Sequence, residues 1–393
     1  ERFAEAAARF AEAREDPELE AKATLFEGIA RLRLGELDAA RELFEQARAD
    51  EGQRLAVTFY EGVAAYQNGR MIEARGLLER VVASGDGPMA VEAQALLDQM
   101  EPPAPALDLR ASAGFQYDSN VLLAPSDGEV LDDLLVSDEG DGSAIFAASA
   151  RWVPVRTDTG RVQVGYDFFQ SIHFDLEEFD IQSHGLGGDI AGSHEWFDWG
   201  AYGWYDFHTL DGDKFLSRLT FLPWFGISPL PRLRTELSAR LRNDDFYGDE
   251  FGVRDASNGS FGVRQFAYLT PDRFAWVGYR REIVDSTSDD VASKRFEFKA
   301  HEVEAGIYWQ ALEGATFEAE YRYRRERYDS ASQLRFDGGT GLLARREDDV
   351  HRGRAALRIR LSEHWAILQG VAVTDSRSNQ DPFAYDRIVG TVA

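Results

Sequence analysis

From Leu107 onward, apolar and polar residues alternate position by position in one segment after another, the period of a strand with one apolar face. Leu107, Leu109, Ala111, Ala113, Phe115 and Tyr117 oppose Asp108, Arg110, Ser112, Gln116 and Asp118. Val162, Val164, Tyr166 and Phe168 oppose Gln163 and Asp167, and Leu233, Leu237 and Leu241 oppose Arg234, Glu236, Arg240 and Arg242. Phe317, Ala319, Tyr321 and Tyr323 oppose Glu318, Glu320, Arg322 and Arg324, while Ala355, Leu357, Ile359 and Leu361 oppose Arg354, Arg358 and Arg360. Alternation of this kind fits a membrane β-barrel, and by itself it also fits a soluble β-sandwich with one wet face.

Three features favour the barrel. Strands are expected at 107–121, 142–155, 160–174, 181–193, 196–208, 214–227, 231–246, 254–269, 273–284, 295–309, 314–327, 349–361, 364–374 and 384–393, with the fourth, eighth and tenth the least regular. Every second connection is then short and the others are mostly longer, which is the asymmetry of an outer-membrane barrel. Trp152, Trp196, Trp199, Trp224, Trp276, Trp309 and Trp365 all fall beside the short turns, leaving only Trp204 mid-strand. They are expected to form a membrane-interface belt, because the indole ring is apolar while its N–H seeks a polar partner. Tyr117, Phe174, Phe207, Phe215 and Tyr323 would form the opposite belt. With an even strand count, both ends of the barrel segment lie on the short-turn side, the periplasmic one. The expected fold is therefore α plus membrane β, with an antiparallel transmembrane barrel of about 14 strands over residues 107–393. Outer-membrane lipid and lipopolysaccharide follow as surroundings, and Arg325 and Arg327 near the outer rim are candidates to meet lipopolysaccharide phosphates. No apolar run reaches the roughly 20 residues of a membrane helix.

Residues 1–100 have a different character, rich in Ala, Glu, Leu and Arg, and a Pro-containing linker at 101–106 separates them from the barrel. Gly28 recurs as Gly62, Gly35 as Gly69 and Ala40 as Ala74, with Phe44 answered by Leu78; Ala6 and Phe10 sit one period earlier. This period of 34 residues, with small residues at helix contacts and Leu34-Gly35 and Asn68-Gly69 at the turns, resembles the tetratricopeptide repeat. The first unit begins at its second helix. The resemblance implies helical repeats whose groove holds a periplasmic or surface protein partner. Tyr60, Tyr66 and Asn68 are candidates to line that groove, or else to pack and cap the helices. Glu1 opens directly in a helical pattern, so the chain is expected to be a mature protein or a fragment. The last strand ends at Val392-Ala393 without the terminal aromatic residue usual in bacterial barrels.

The remaining chemistry is electrostatic. With 69 acidic and 43 basic residues the net charge is −26, which argues against a nucleic-acid partner. Cysteine is absent, excluding disulfides and Cys-based zinc sites. Arg234, Arg240, Arg242, Glu318, Glu320, Arg322, Arg324, Arg352, Arg354, Arg358 and Arg360 are expected to face the lumen. Glu318, Glu320 and Glu326 are placed to pair across strands with Arg352, Arg354, Arg358 and Arg360, either stiffening the wall or lining a polar conduit. Asp127, Glu129, Asp132, Asp133, Asp138, Glu139 and Asp141 crowd the first long loop, but no spacing matches a calcium loop. The seven histidines are dispersed without metal-ligand spacing, so no metal, cofactor or enzymatic activity is expected. His173 and His208, near the outer ends of strands, are the only candidates for rim catalysis.

Repeats followed directly by a barrel resemble the surface lipoprotein assembly modulator family, and Gly114-Phe115-Gln116-Tyr117-Asp118-Ser119-Asn120-Val121 is similar to its first barrel strand. That resemblance implies translocation or export across the outer membrane, with periplasmic repeats recruiting a partner or cargo. Exopolysaccharide export porins share the architecture, and a plugged barrel anchoring an envelope complex is a third possibility. The inward faces legible here favour charge over aromatic stacking.

Overall fold

The computed structural model describes residues 2–17, 19–84, 87–100, 106–126, 140–194, 196–230, 232–248, 251–270, 272–312, 314–332 and 344–393. It divides into a helical unit and a strand unit.

The helical unit contains α1 (Arg2–Ala13), α2 (Glu20–Arg33), α3 (Leu37–Ala47), α4 (Arg54–Gln67), α5 (Met71–Val82) and α6 (Pro88–Gln99). Its repeat rests on two glycine pairs. Gly35 and Gly69 end α2 and α4 at φ 79° and 75°, a left-handed conformation that side-chain Cβ atoms disfavour. The following N–H groups reach back, Glu36 to Arg31 O at 3.0 Å and Arg70 to Ala65 O at 2.9 Å, satisfying carbonyls the helix end leaves open. Gly28 and Gly62 instead make room: a Cβ on Gly28 would lie 2.7 Å from the Phe44 ring, and one on Gly62 would lie 3.0 Å from Leu78. Phe44 and Leu78 are fully buried, one in each of two cores bridged by Tyr60 and Val63.

The strand unit is a closed antiparallel barrel of fourteen strands: β1 (Leu107–Asp118), β2 (Asp141–Arg156), β3 (Gly160–His173), β4 (Ile181–His194), β5 (Phe197–Leu210), β6 (Asp213–Leu230), β7 (Leu233–Phe246), β8 (Ala256–Thr270), β9 (Arg273–Ser286), β10 (Phe298–Leu312), β11 (Ala315–Ser332), β12 (Ala344–Arg360), β13 (Ala366–Ser378) and β14 (Tyr385–Val392). Each strand pairs with its sequence neighbours, and β1 closes on β14 with Phe115 opposite Val392 and Asp118 opposite Val389. Closure removes the unpaired edges that lipid could not satisfy. The turns β2–β3, β4–β5, β6–β7, β8–β9, β10–β11 and β12–β13 cluster at one end. One connection at the opposite end is also tight: Asp211-Gly212, both at positive φ, form the two-residue turn favoured by the twist of a hairpin.

The outward face carries Leu237, Leu241, Val263, Val277, Val303 and Ile307, all solvent-accessible large apolar side chains. The inward face carries buried Glu282, Glu302, Glu304 and Asp348. An apolar exterior around a charged interior reverses the arrangement of a soluble protein and matches a wall immersed in lipid. The apolar band ends in a polar row set by strand register. Arg281 lies opposite His301, His301 opposite Arg325, Arg325 opposite Asp349 and Asp349 opposite Arg377. Beside it, Tyr279 and Tyr321 hydrogen-bond through their hydroxyls to His301 Nδ1 and His351 Nδ1, each at 2.7 Å. Tyr166 does the same with His184 Nδ1 at 2.8 Å.

Trp152, Trp196, Trp199, Trp309 and Trp365 are exposed beside the short turns. Trp224 and Trp276 are a correction to the expected belt, because both point into the lumen. The Arg234 guanidinium stacks over Trp224, and Trp276 is 8 % exposed against 46 % for Trp309. Proximity to a turn sets the height of a side chain, whereas strand parity sets its face, and both tryptophans occupy the inward parity. Single-tryptophan variants in vesicles of brominated lipid test this: Trp309 fluorescence is expected to be strongly quenched and Trp276 hardly at all. Equal quenching would refute the assignment.

Candidate functional site

The lumen wall is organised by arginine–carboxylate pairs that skip a strand. Glu282 on β9 accepts from Arg240 on β7 and from Arg324 on β11, both at 2.7 Å. Arg264 on β8 reaches Glu304 on β10 at 2.7 Å, and Arg234 on β7 reaches Asp198 on β5 at 2.8 Å. In each case the residue on the intervening strand is small. Ser260 lies between Arg240 and Glu282, and Ala300 lies opposite Glu282 on the path to Arg324. Gly278 lies between Arg264 and Glu304, where a Cβ would sit 2.5 Å from Oε1 of Glu304. Gly226, paired with Asp198, does the same beneath Arg234. Nearest-neighbour pairs complete the network: Arg280–Glu302 at 3.2 Å, Arg218–Asp244 at 2.6 Å, and Arg346–Asp348 at 2.6 Å.

The cross-strand ladder expected between β11 and β12 is mostly not formed. Arg354 pairs with Glu318 at 2.7 Å and reaches Glu320 at 4.0 Å, but Glu320 is also engaged by Arg322, and Glu326 by Arg324, on their own strand. Arg352, Arg358 and Arg360 make no ion pair with any described residue. The reason lies on their other flank. Register places Thr374, Leu368 and Ala366 of β13 opposite them, and that inward face carries no carboxylate. All three line cavities: Arg352 lies in one of about 340 Å³ beside Arg324 and Asp348, and Arg358 and Arg360 in one of about 430 Å³ at the short-turn end.

Aromatic rings also line the lumen, against expectation. Trp204 stacks on Tyr202 at 5.4 Å and carries the Arg151 guanidinium at 5.1 Å. Toward the short turns of β8–β10, Phe274 contacts Phe266 at 6.2 Å, Tyr268 at 5.3 Å, Trp276 at 6.0 Å and Tyr308 at 5.0 Å. The signal was in Leu222-Pro223-Trp224-Phe225 and Phe266-Ala267-Tyr268, where apolar residues occupy both parities, so alternation could not separate the faces.

In the repeats, α3, α4 and α5 border a cavity of about 600 Å³ lined by Arg41, Arg48, Glu61, Asn68, Glu73 and Arg80, among others. Asn68 is the one groove candidate it contains. Tyr60 is instead packed between Phe44 at 6.3 Å and Phe59 at 5.1 Å, and Tyr66 packs on the second core. Missed by sequence reasoning was Glu61, hydrogen-bonded by Arg48 within the cavity. Burial pushes its carboxyl above the usual range, against the pull of Arg48.

Other candidates have structural partners. Asp141 accepts the N–H groups of Asp175 and Leu176 at 3.1 and 3.0 Å, fastening two loops; the acidic residues at 127–139 lie outside the described residues. The Asp180 carboxylate accepts the His173 backbone N–H at 2.6 Å and lies 3.3 Å from its ring. His208 lies within the wall of β5, with Nε2 unpartnered. Arg325 is bound to Glu347 at 2.8 Å. No group of three metal-ligating side chains occurs among the described residues.

Residues 1–54 and 27–88 match the tetratricopeptide repeat family. No curated protein matches the chain. Among solved structures, the outer-membrane protein OmpT of Vibrio cholerae is 11 % identical, with 73 % of this chain and 99 % of that chain covered and a TM-score of 0.37. The outer-membrane channel DcaP of Acinetobacter baumannii is 9 % identical, with 73 % and 96 % covered and a TM-score of 0.38. A BenF-like porin from Pseudomonas fluorescens is 11 % identical, with 73 % and 97 % covered and a TM-score of 0.37. The chain thus joins a segment similar to tetratricopeptide repeats to a closed barrel of fourteen strands.

Proposed function

We propose that this chain is an outer-membrane translocation or export protein, whose periplasmic repeats recruit a protein partner or cargo and whose barrel gives passage or surface delivery. The observation that carries the reading is the polar lumen: arginines in excess of their carboxylate partners line cavities inside an apolar wall. The buried carboxylates are all paired, whereas Arg352, Arg358 and Arg360, unpaired among the described residues, are exposed to the lumen, where a wall built only to be stable has no use for them. The expected architecture of a surface lipoprotein assembly modulator fits this role, with the cavity around Asn68 and Glu61 as the recruiting surface. Lipopolysaccharide phosphates would meet Arg327 and the outward polar row on the long-loop side.

A second reading, export of a polysaccharide, is favoured by the ring cluster around Phe274, because sugar rings stack on aromatic faces. Reconstitution of the full chain in planar bilayers tests passage. Discrete conductance steps above those of protein-free bilayers are expected. Their complete absence would leave a plugged anchor as the better account.

A further inference from the structure

We propose that the short-turn end of the lumen wall formed by β10, β11 and β12 is a binding site for an organic carboxylate that carries a sugar-sized ring. The cavity there, about 430 Å³, is lined by Tyr308, Gln310, Thr316, Arg358, Arg360 and Leu368, among others. Its volume lies within the range of small-ligand sites. Arg358 and Arg360 are two residues apart on one strand, so they share a face at a spacing of about 7 Å. Neither has a carboxylate partner among the described residues. Glu318, the acid in the cavity lining, is held by Arg354 at 2.7 Å, and β13 presents Ala366, Leu368, Gly370 and Ala372 inward.

Two guanidinium forks side by side select a planar acceptor, and a carboxylate accepts bidentate bonds from Arg. The remaining surfaces choose among anions. Tyr308 stands over Phe274 at 5.0 Å and, with Leu368, gives an apolar flank that an inorganic anion cannot use. Gln310 and Thr316 add donors and acceptors suited to ring hydroxyls. Farther along β12, Arg354 and Arg352 continue the same face toward the second cavity, so the site opens onto a basic stripe along the wall. The inference deepens the conduit reading by naming a class of solute, and binding at the site does not require passage.

Glucuronate and glucose differ by the carboxylate alone and share the ring. Titration of the detergent-solubilised full chain, followed by saturation-transfer NMR, is expected to show glucuronate binding in about the millimolar range and glucose at least roughly tenfold weaker. The Arg358→Gln/Arg360→Gln double variant should reduce glucuronate to the level of glucose. Arg358→Lys, which keeps charge but loses the fork, should fall between. Heat-modifiable gel mobility certifies that each variant is folded, and Arg9→Gln on exposed α1 serves as the unaffected control. Undiminished glucuronate binding by the folded double variant would overturn the site. Inorganic phosphate binding as tightly as glucuronate would overturn the part assigned to the ring. Glucuronate binding by a barrel that never conducts would uphold the site and count against passage alone.

Discussion

Replacing Glu282 with alanine should destabilise the barrel by about 3 kcal/mol, the scale of breaking a buried ion pair from one side. The Glu282 side chain is 3 % exposed and is the shared acceptor for Arg240 and Arg324, whose side chains remain 23 % and 20 % exposed. Removal therefore leaves Arg240 without its carboxylate while Arg324 keeps Glu326 at 2.6 Å, and partial access to lumen water softens the loss. That access places the loss at the lower end of the usual range. Glu282→Gln keeps the shape and one acceptor oxygen, and its cost should be smaller. Denaturant titration of the barrel in lipid vesicles, read by tryptophan emission, measures both. A loss below about 1 kcal/mol for the alanine variant would mean that the network behaves like exposed surface pairs.

Much of the barrel was legible because lipid imposes a simple rule on its exterior. Alternation located the strands to within a few residues. The partner of each charge was not legible. Nearest-strand pairing places Glu326 opposite β12, whereas it pairs with Arg324 on its own strand, and elsewhere an arginine side chain is long enough to cross a strand when the crossing point is small. Gly226, Gly278, Ser260 and Ala300 supplied those crossings. Each looks unremarkable alone, and only register turns it into a gap between opposite charges. The aromatic lumen was missed for a related reason. Trp224 and Trp276 sit at belt height, and nothing in the distance to a turn reports which way a ring points. In the repeats the glycine period carried the helix contacts faithfully, but Tyr60 is large enough to reach between two cores and so packs instead of lining the groove.

That same glycine period leads to the second large effect. Phe44→Ala should cost the helical unit about 3–5 kcal/mol, since Phe44 is fully buried and its removal leaves a cavity between α2, α3 and α4. Each repeat contacts chiefly its neighbours, so such a loss falls on the adjoining helices. Hydrogen exchange on the full chain should accordingly show protection falling in α2, α3 and α4 together. Gly28→Ala discriminates the mechanism. In the parent its new methyl would lie 2.7 Å from the Phe44 ring, and overpacking of that kind costs about 1–3 kcal/mol. It also gains about 1 kcal/mol of helix propensity, so the net effect is a loss or near zero. In the Phe44→Ala variant the ring is gone, so the steric cost shrinks to the 3.3 Å approach to Leu43 Cβ and the propensity gain remains. Gly28→Ala should therefore become stabilising in that background. If its effect were the same in both backgrounds, the two positions would be uncoupled, and close contact between Gly28 and Phe44 would not be what the 34-residue period preserves.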